Sequence, residues 1–247
     1  MIKLTLSTAT IAVICSVSIS RGQDSPAAPS SPAASAPAPR TDVYHVFFAH
    51  AATGKASALE DALKKAAESG PMPGHALGLR HEAGAPWDYA GIQHLGTNAT
   101  VEPTGNPAGA TLRPLMDWHD DTFVNGPPWP DFAKAMGLDE SGKPKSTEDV
   151  YVVSVYRPIP GQDDALDKFL AEPPSASGDL AVGTVVLQHL EGGAWRFLSI
   201  SHYKNFQDYA ASEVKSVAET AKGTGGWYRL RELCSFHNDT VTVHTKP

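Results

Sequence analysis

Two stretches rich in β-branched and aromatic residues, 43–50 and 150–157, read as strands. Each is followed by an amphipathic segment. In 54–69, Leu59, Ala62, Leu63 and Ala66 recur at helical spacing and Gly70-Pro71 stops the helix; 163–170 repeats this more briefly and ends before Pro173-Pro174. A hairpin comes next in both places. Residues 80–94 and 188–202 each read as a strand, a turn at Gly84-Ala85 or Gly192-Gly193, and a second strand opening on an aromatic residue. Beyond the second hairpin, Phe206, Ala210, Val214, Val217 and Ala221 form the core-facing stripe of a helix over 205–222, stopped by Gly223. The last predicted strand is 227–236.

The two runs of elements also match residue by residue. His81, Gly84, Trp87, Ile92 and His94 fall without a gap on His189, Gly192, Trp195, Ile200 and His202. Val43-Tyr44 falls on Val150-Tyr151, and Arg113, Leu115, His119, Asp121 and Thr122 fall on Arg231, Leu233, His237, Asp239 and Thr240. Repetition over this length predicts two tandem ferredoxin-like β-α-β-β-α-β units, an α+β fold, over 41–124 and 149–247 with a connector at 125–148. The first unit departs from the pattern in one place. Its stretch between His94 and Arg113 is shorter than the matching one and carries Gly96, Pro103, Gly105, Pro107 and Gly109, so its second helix is missing. The connector is expected to cover the sheet face left bare, through a short helix over 129–138 with Trp129, Phe132 and Met136 as apolar cover.

The N-terminus reads as a signal peptide over 1–22: Lys3, an apolar run over 4–19, and small residues near 18–22. That run is short for a membrane span. The Pro/Ala/Ser-rich stretch 23–40 cannot bury enough apolar surface to offset its ordering entropy and reads as a disordered tether. An exported, periplasmic or extracellular protein is expected. Formal net charge is −7 and no basic cluster follows Lys3, which argues against nucleic acid or an anionic membrane surface as a partner. Removal of the leader takes Cys15 with it, leaving Cys234 alone, so no intrachain disulfide forms; its strand position suits a buried apolar role.

Two fused units of this kind resemble the dimeric α/β-barrel superfamily, over roughly 41–246. The resemblance implies a pseudo-dimeric α/β barrel whose sheets face each other, with a small, often aromatic or hydrophobic molecule held between them. It also implies a choice among cofactor-free oxygenases, haem enzymes and stress-related proteins.

The strand order of such a unit turns spacing into position. The ends of strands three and four lie beside the starts of strands one and two. That edge is expected to gather His94, His119 and Asp121 with Tyr44, His45 and His75 in the first half, and His202, His237 and Asp239 with Tyr151 in the second. A two-residue hairpin loop places His75 opposite His94. By the same register His81 and His94 stand about 20 Å apart, at ~3.3 Å per residue, too far to share a metal. His81 and His189 therefore read as strand ends beside the turns.

His119 and Asp121 share a strand face, as do His237 and Asp239. Three roles stay open for them: capping the strand exit, holding one ion, or acid–base work on a bound organic ligand. His94, His119, Asp121, His202, His237 and Asp239 are the candidate catalytic residues, and no metal ligand is assigned. Trp87 with Tyr89, and Trp195 with Phe197, alternate with smaller residues and so share a face in each half. Arg80 and Gln93 join the first pair and Gln188, with Ser199 and Ser201, the second; the aromatics either fill the space between the sheets as core or, with these polar groups, line a cavity for a planar ligand. Haem is a cofactor candidate by fold analogy alone, with His202 or His237 as axial ligand; the sequence names no cofactor. Three functions follow: small-molecule binding with cofactor-independent chemistry, a metal- or haem-dependent oxidoreductase using the His/Asp edge, or a structural or interaction module. Neither an enzyme assignment nor an oligomeric state is read from the sequence.

Overall fold

A computed structural model describes residues 39–98, 109–173, 178–190 and 194–245. The expected leader and nearly all of the tether lie outside them. Eight antiparallel strands form a closed barrel, joined in the order β1-β3-β2-β8-β5-β7-β6-β4. The strands are β1 (Asp42–Ala51), β2 (Ala76–Ala83), β3 (Tyr89–Thr97), β4 (Met116–Gly126), β5 (Val150–Pro158), β6 (Gly183–His189), β7 (Phe197–Tyr203) and β8 (Cys234–His244). Each half therefore has the same internal order, β4-β1-β3-β2 and β8-β5-β7-β6. The halves meet along two seams. β2 pairs with β8 between Leu79↔His244 and Ala83↔Val241, while β4 pairs with β6 only at Val124↔His189 and Asn125↔Gln188.

Alternation along the strands separates two environments. Tyr44, Val46 and Phe48 of β1, Leu77 and Leu79 of β2, Ala90 and Ile92 of β3, Tyr151 and Val153 of β5, and Leu198 and Ile200 of β7 point inward and fill the barrel. Phe47, Ala49 and Ala51 point outward under α1 (Ala56–Glu68), where Leu59 is fully buried. On the second half, Tyr156, Phe197 and Cys234 point outward under α4 (Asp163–Leu170) and α6 (Gly226–Leu233). Cys234 is buried and free, as expected of it.

Several expectations change here. Residues 227–236 do not form the last strand: 226–233 is α6, and the strand runs on from Cys234 to His244. The first half has a single helical turn, α2 (Gly109–Leu112), followed by a 3-10 turn at Arg113–Leu115, where no second helix was expected. The connector helix forms where the sequence placed it, as α3 (Trp129–Ala135), ending at Gly137 in the left-handed region (φ 68°). Its target differs. Trp129, Phe132, Ala133, Met136 and Leu138 belong to the apolar cluster inside the barrel, so α3 plugs one end of the interior and leaves the outer face alone.

The helix α5 (Phe206–Ala221) forms behind the side chain of Asn205, which accepts the Asp208 amide hydrogen. Its apolar stripe turns outward, however: Phe206, Val214 and Val217 are exposed, the last two by 71% and 65%. The sheet face beneath α5 carries Ser154, Ser199 and Ser201 among its residues, so it is not a continuous apolar surface for that stripe. No described helix is long and apolar enough to cross a membrane.

Candidate functional site

The expected sheet-edge cluster divides. His119 and Asp121 lie opposite Ala49 and Phe47, near the start of β4, on the outer face. His94 lies opposite Tyr44, at the other end of the barrel and on the inner face. His237 and Asp239 are likewise outward and near the start of β8, opposite Tyr156 and Ser154, whereas His202 is inward opposite Tyr151. The physical reason is strand length. β4 and β8 continue to Gly126 and His244, so residues expected at their ends lie near their beginnings. Asp121 pairs with His45 (3.2 Å), and Asp239 lies 3.7 Å from His237.

The expected cavity lining also divides. Trp87 and Trp195 sit in the segments entering β3 and β7, not in the strands, so alternation does not govern them. They point inward, while Tyr89 and Phe197 point outward. Arg80 pairs with Glu82 at the surface (2.6 Å). Gln93 stands opposite His45 and Gln188 opposite Phe197, both on the outer face. These residues do not line one cavity, and the barrel interior is occupied by side chains and α3.

What the inner face does assemble is a pair of Asp–His contacts, one at each end of α3. In the first half, His94 Nε2–H donates to Asp42 Oδ2 (2.8 Å), which also accepts the Trp129 amide hydrogen at the start of α3 (3.2 Å). The Tyr44 hydroxyl donates to the Pro127 carbonyl (2.7 Å). His75 stands opposite His94 as expected: its amide-paired carbonyl is 2.9 Å from His94 N, and the two Nδ1 atoms are 3.2 Å apart. With Nε2 protonated towards Asp42, His94 Nδ1 accepts, so His75 Nδ1–H donates. Trp129 stacks on His75, centroids 4.5 Å apart.

In the second half, His202 Nδ1–H donates to the Ala135 carbonyl at the end of α3 (3.1 Å), and the Tyr151 hydroxyl donates to the Met136 carbonyl (3.0 Å). Asp149 Oδ2 lies 3.2 Å from His202 Nε2 without hydrogen-bond alignment. All four dyad residues are buried. Burial is the main cause that holds His94 and His75 below the ordinary histidine range; Asp42 opposes it at His94, while the neighbouring His94 adds to it at His75. Burial, with Asp42 and Asp149 beside them, raises Tyr44 and Tyr151. Asp42 and Asp149 were missed as site residues, although the tripeptide Asp-Val-Tyr occurs at both 42–44 and 149–151. His202, pinned to α3 through Nδ1 and facing Asp149 through Nε2, does not fit the part of a haem ligand.

A second polar group gathers beneath α5. Ser154, Ser199, Tyr156 and Tyr203 are buried on the outer face of the second half. The Tyr156 hydroxyl bonds to Ser199 Oγ (3.2 Å), and the Tyr203 hydroxyl donates to Asp179 (3.1 Å). Tyr203 meets Tyr209 of α5 edge to face at 5.5 Å. Burial first, then Asp239 and Asp179, raises the Glu213 carboxyl; burial and Asp239 push Tyr156 up to about 12. His237 lies parallel to Tyr156 at 6.4 Å with Nδ1 buried and lacking a partner among the described residues. Of the sequence-predicted residues, His237 and Asp239 belong to this group. Tyr203, Tyr209, Glu213 and Asp179 carried no signal beyond their residue type.

No family model matches the chain, and no curated protein matches it. Among solved structures it is similar to a proposed monooxygenase from Lactobacillus acidophilus NCFM, at 8% identity and TM-score 0.52, over 83% of this chain and 95% of that one. It is also similar to a proposed monooxygenase from Fusobacterium nucleatum subsp. nucleatum, at 9% identity and TM-score 0.51, over 83% and 93%. At these identities the likeness is one of fold. The ferredoxin-like α/β-barrel architecture expected from the superfamily resemblance is the architecture observed.

Proposed function

We propose that this chain is an exported small-molecule-binding protein, built by duplication, whose ligand site lies beneath α5 on the outer face of the second half. One observation carries the reading: that face buries the hydroxyls of Ser154 and Ser199 and the phenols of Tyr156 and Tyr203, with the carboxylates of Asp179, Glu213 and Asp239 at its rim, while the apolar stripe of α5 faces solvent. Helix–sheet interfaces made only for stability bury apolar stripes. Buried polar groups facing an aromatic wall suit a planar ligand bearing hydroxyl or carbonyl groups.

Glu213, its carboxyl raised by burial and by Asp239 and Asp179, and the imidazole of His237 beside Asp239 are candidate acid–base groups, which supports cofactor-independent chemistry on the ligand. Both structural neighbours named above are proposed monooxygenases, which agrees with such a role. The test is native mass spectrometry of the purified chain with a panel of phenolic and quinone-like compounds. Binding should occur at one site and weaken at least tenfold in Tyr203→Phe and Glu213→Gln. Equal affinity in both variants would remove the site from beneath α5.

A further inference from the structure

Thr122 and His189 form a hydrogen-bonded pair at the β4–β6 seam, on the part of the barrel away from α3. His189 is buried, and its Nδ1 lies 3.0 Å from the Trp195 carbonyl oxygen. A carbonyl only accepts, so Nδ1 carries the proton and Nε2 keeps a lone pair. The Thr122 hydroxyl therefore donates to Nε2. Trp195 also stacks on the imidazole, centroids 4.5 Å apart, which fixes the ring plane. A hydroxyl, a base taking its proton, and a third group setting the tautomer of the base make up an activated nucleophile.

The matched residues at the other seam show that this pairing is not imposed by the fold. There the Thr240 hydroxyl accepts the Ala85 amide hydrogen (3.2 Å), Thr240 is 1% exposed, and His81 Nε2 has no partner among the described residues. Thr122, by contrast, is half-buried, next to the point where β4 runs on beyond β6. Thr122 stands opposite Val46 on the inner face, and Trp118, four residues earlier on the same face of β4, is exposed. The Phe123 carbonyl accepts the Leu190 amide hydrogen across the seam (3.0 Å), which ties β4 to the end of β6 beside Thr122.

We propose that Thr122 is a nucleophile towards activated acyl esters, with His189 as its base. Thr122 Oγ attacks the acyl carbon and forms the new C–O bond, while its proton passes to His189 Nε2. The bond from the acyl carbon to the leaving oxygen breaks, the leaving aryloxide keeps that electron pair, and the chain is left as a threonine ester. Nothing is oxidised or reduced, and the inference is independent of the site beneath α5.

The experiment is incubation of the full chain with p-nitrophenyl acetate, followed by p-nitrophenolate release, intact mass and peptide mapping. One acetyl group per chain should appear on Thr122. Thr122→Ser should retain it, Thr122→Val should lose it, and His189→Gln should slow acylation by roughly a hundredfold or more. An unlabelled wild-type chain, acetyl groups scattered over lysines, or Thr122→Val labelled like the wild type would each overturn the proposal. The mapping in the wild-type chain decides even where a variant fails to fold.

Discussion

Truncating Trp129 to Ala removes the ring that seats α3 in the barrel. Trp129 is only 5% exposed. Its ring lies within 13° of parallel to both His75 and His94, at 4.5 and 5.8 Å, and stacks on Phe132 at 5.5 Å. The contact from the Trp129 amide to Asp42 belongs to the backbone and survives the substitution, so the loss is one of packing. Removing a large buried aromatic costs about 3–5 kcal/mol, transfer and residual cavity together. Domain stabilities are about 5–15 kcal/mol, so the variant should remain folded with a much-reduced margin. Urea unfolding followed by tryptophan-independent far-UV circular dichroism measures it. With a slope of about 1–3 kcal/mol per molar urea, the midpoint should fall by at least 1 M, and Trp129→Phe should recover part of the loss. A change under about 0.5 kcal/mol, the range of ordinary surface sites, would refute the seating of α3 by this ring.

Four further outcomes follow from the same geometry. Asp42→Ala orphans the donors of His94 and of the Trp129 amide and should cost about 2–6 kcal/mol by chemical denaturation, at 1–3 per buried donor; a neutral result would mean that water replaces the carboxylate. Gly183→Ala places a Cβ against the Ala135 backbone and should destabilise by about 1–3 kcal/mol in the same assay, unlike Gly161→Ala's strain at a site with open space, where only the positive φ acts. His75, His94 and His244 are held low by burial, so below about pH 6.5 the unfolded chain binds more protons and stability falls as pH drops; the urea midpoint should be lower near pH 5.5 than near pH 7.5, and His75→Gln should lessen that difference. Val214→Ser should change the thermal midpoint negligibly, within about 0.5 kcal/mol, because its stripe faces solvent; a large loss would place α5 differently.

Periodicity in the sequence was enough to locate most strands, α1, α3, α4 and α5, and the register that sets His75 against His94. It did not reveal which face of an element meets its partner. The stripe of α5 is real, yet it faces solvent where the sheet beneath it carries serines and tyrosines on two separate strands, a property no local window contains. Residues 227–236 read as strand, with Trp227, Tyr228 and Leu230 among them, whereas 226–233 is a helix whose Leu230 and Leu233 pack in the cluster with Phe197. The candidate site was legible only in pieces. His94 and His202 belong together by role, as do His237 and Asp239, but placing β4 and β8 too early along the chain merged two faces into one edge. Asp42 and Asp149 were visible in a tripeptide that occurs twice, whose meaning depended on α3, a connector that lies between the two halves.

That connector explains why two matching halves use matching residues differently. A helix has a direction: its first turn presents unpaired N–H groups and its last turn unpaired carbonyls. Two halves of the same strand order close on α3 from opposite ends, so they cannot make the same contact. Where the first half meets the N-terminal end, the carboxylate of its dyad is the useful member, and Asp42 accepts the Trp129 amide hydrogen. Where the second half meets the C-terminal end, a carboxylate would face carbonyls and repel them; the imidazole takes over, and His202 donates to Ala135 while Asp149 stands behind it. The first dyad is fully engaged, His94 Nε2 by Asp42 and Nδ1 by His75; in the second, His202 Nδ1 is held by α3 while Nε2 faces Asp149 without a hydrogen bond. Chemistry on a bound molecule needs groups that are not already committed to the fold, and among the described residues these include His237 on the outer face beneath α5.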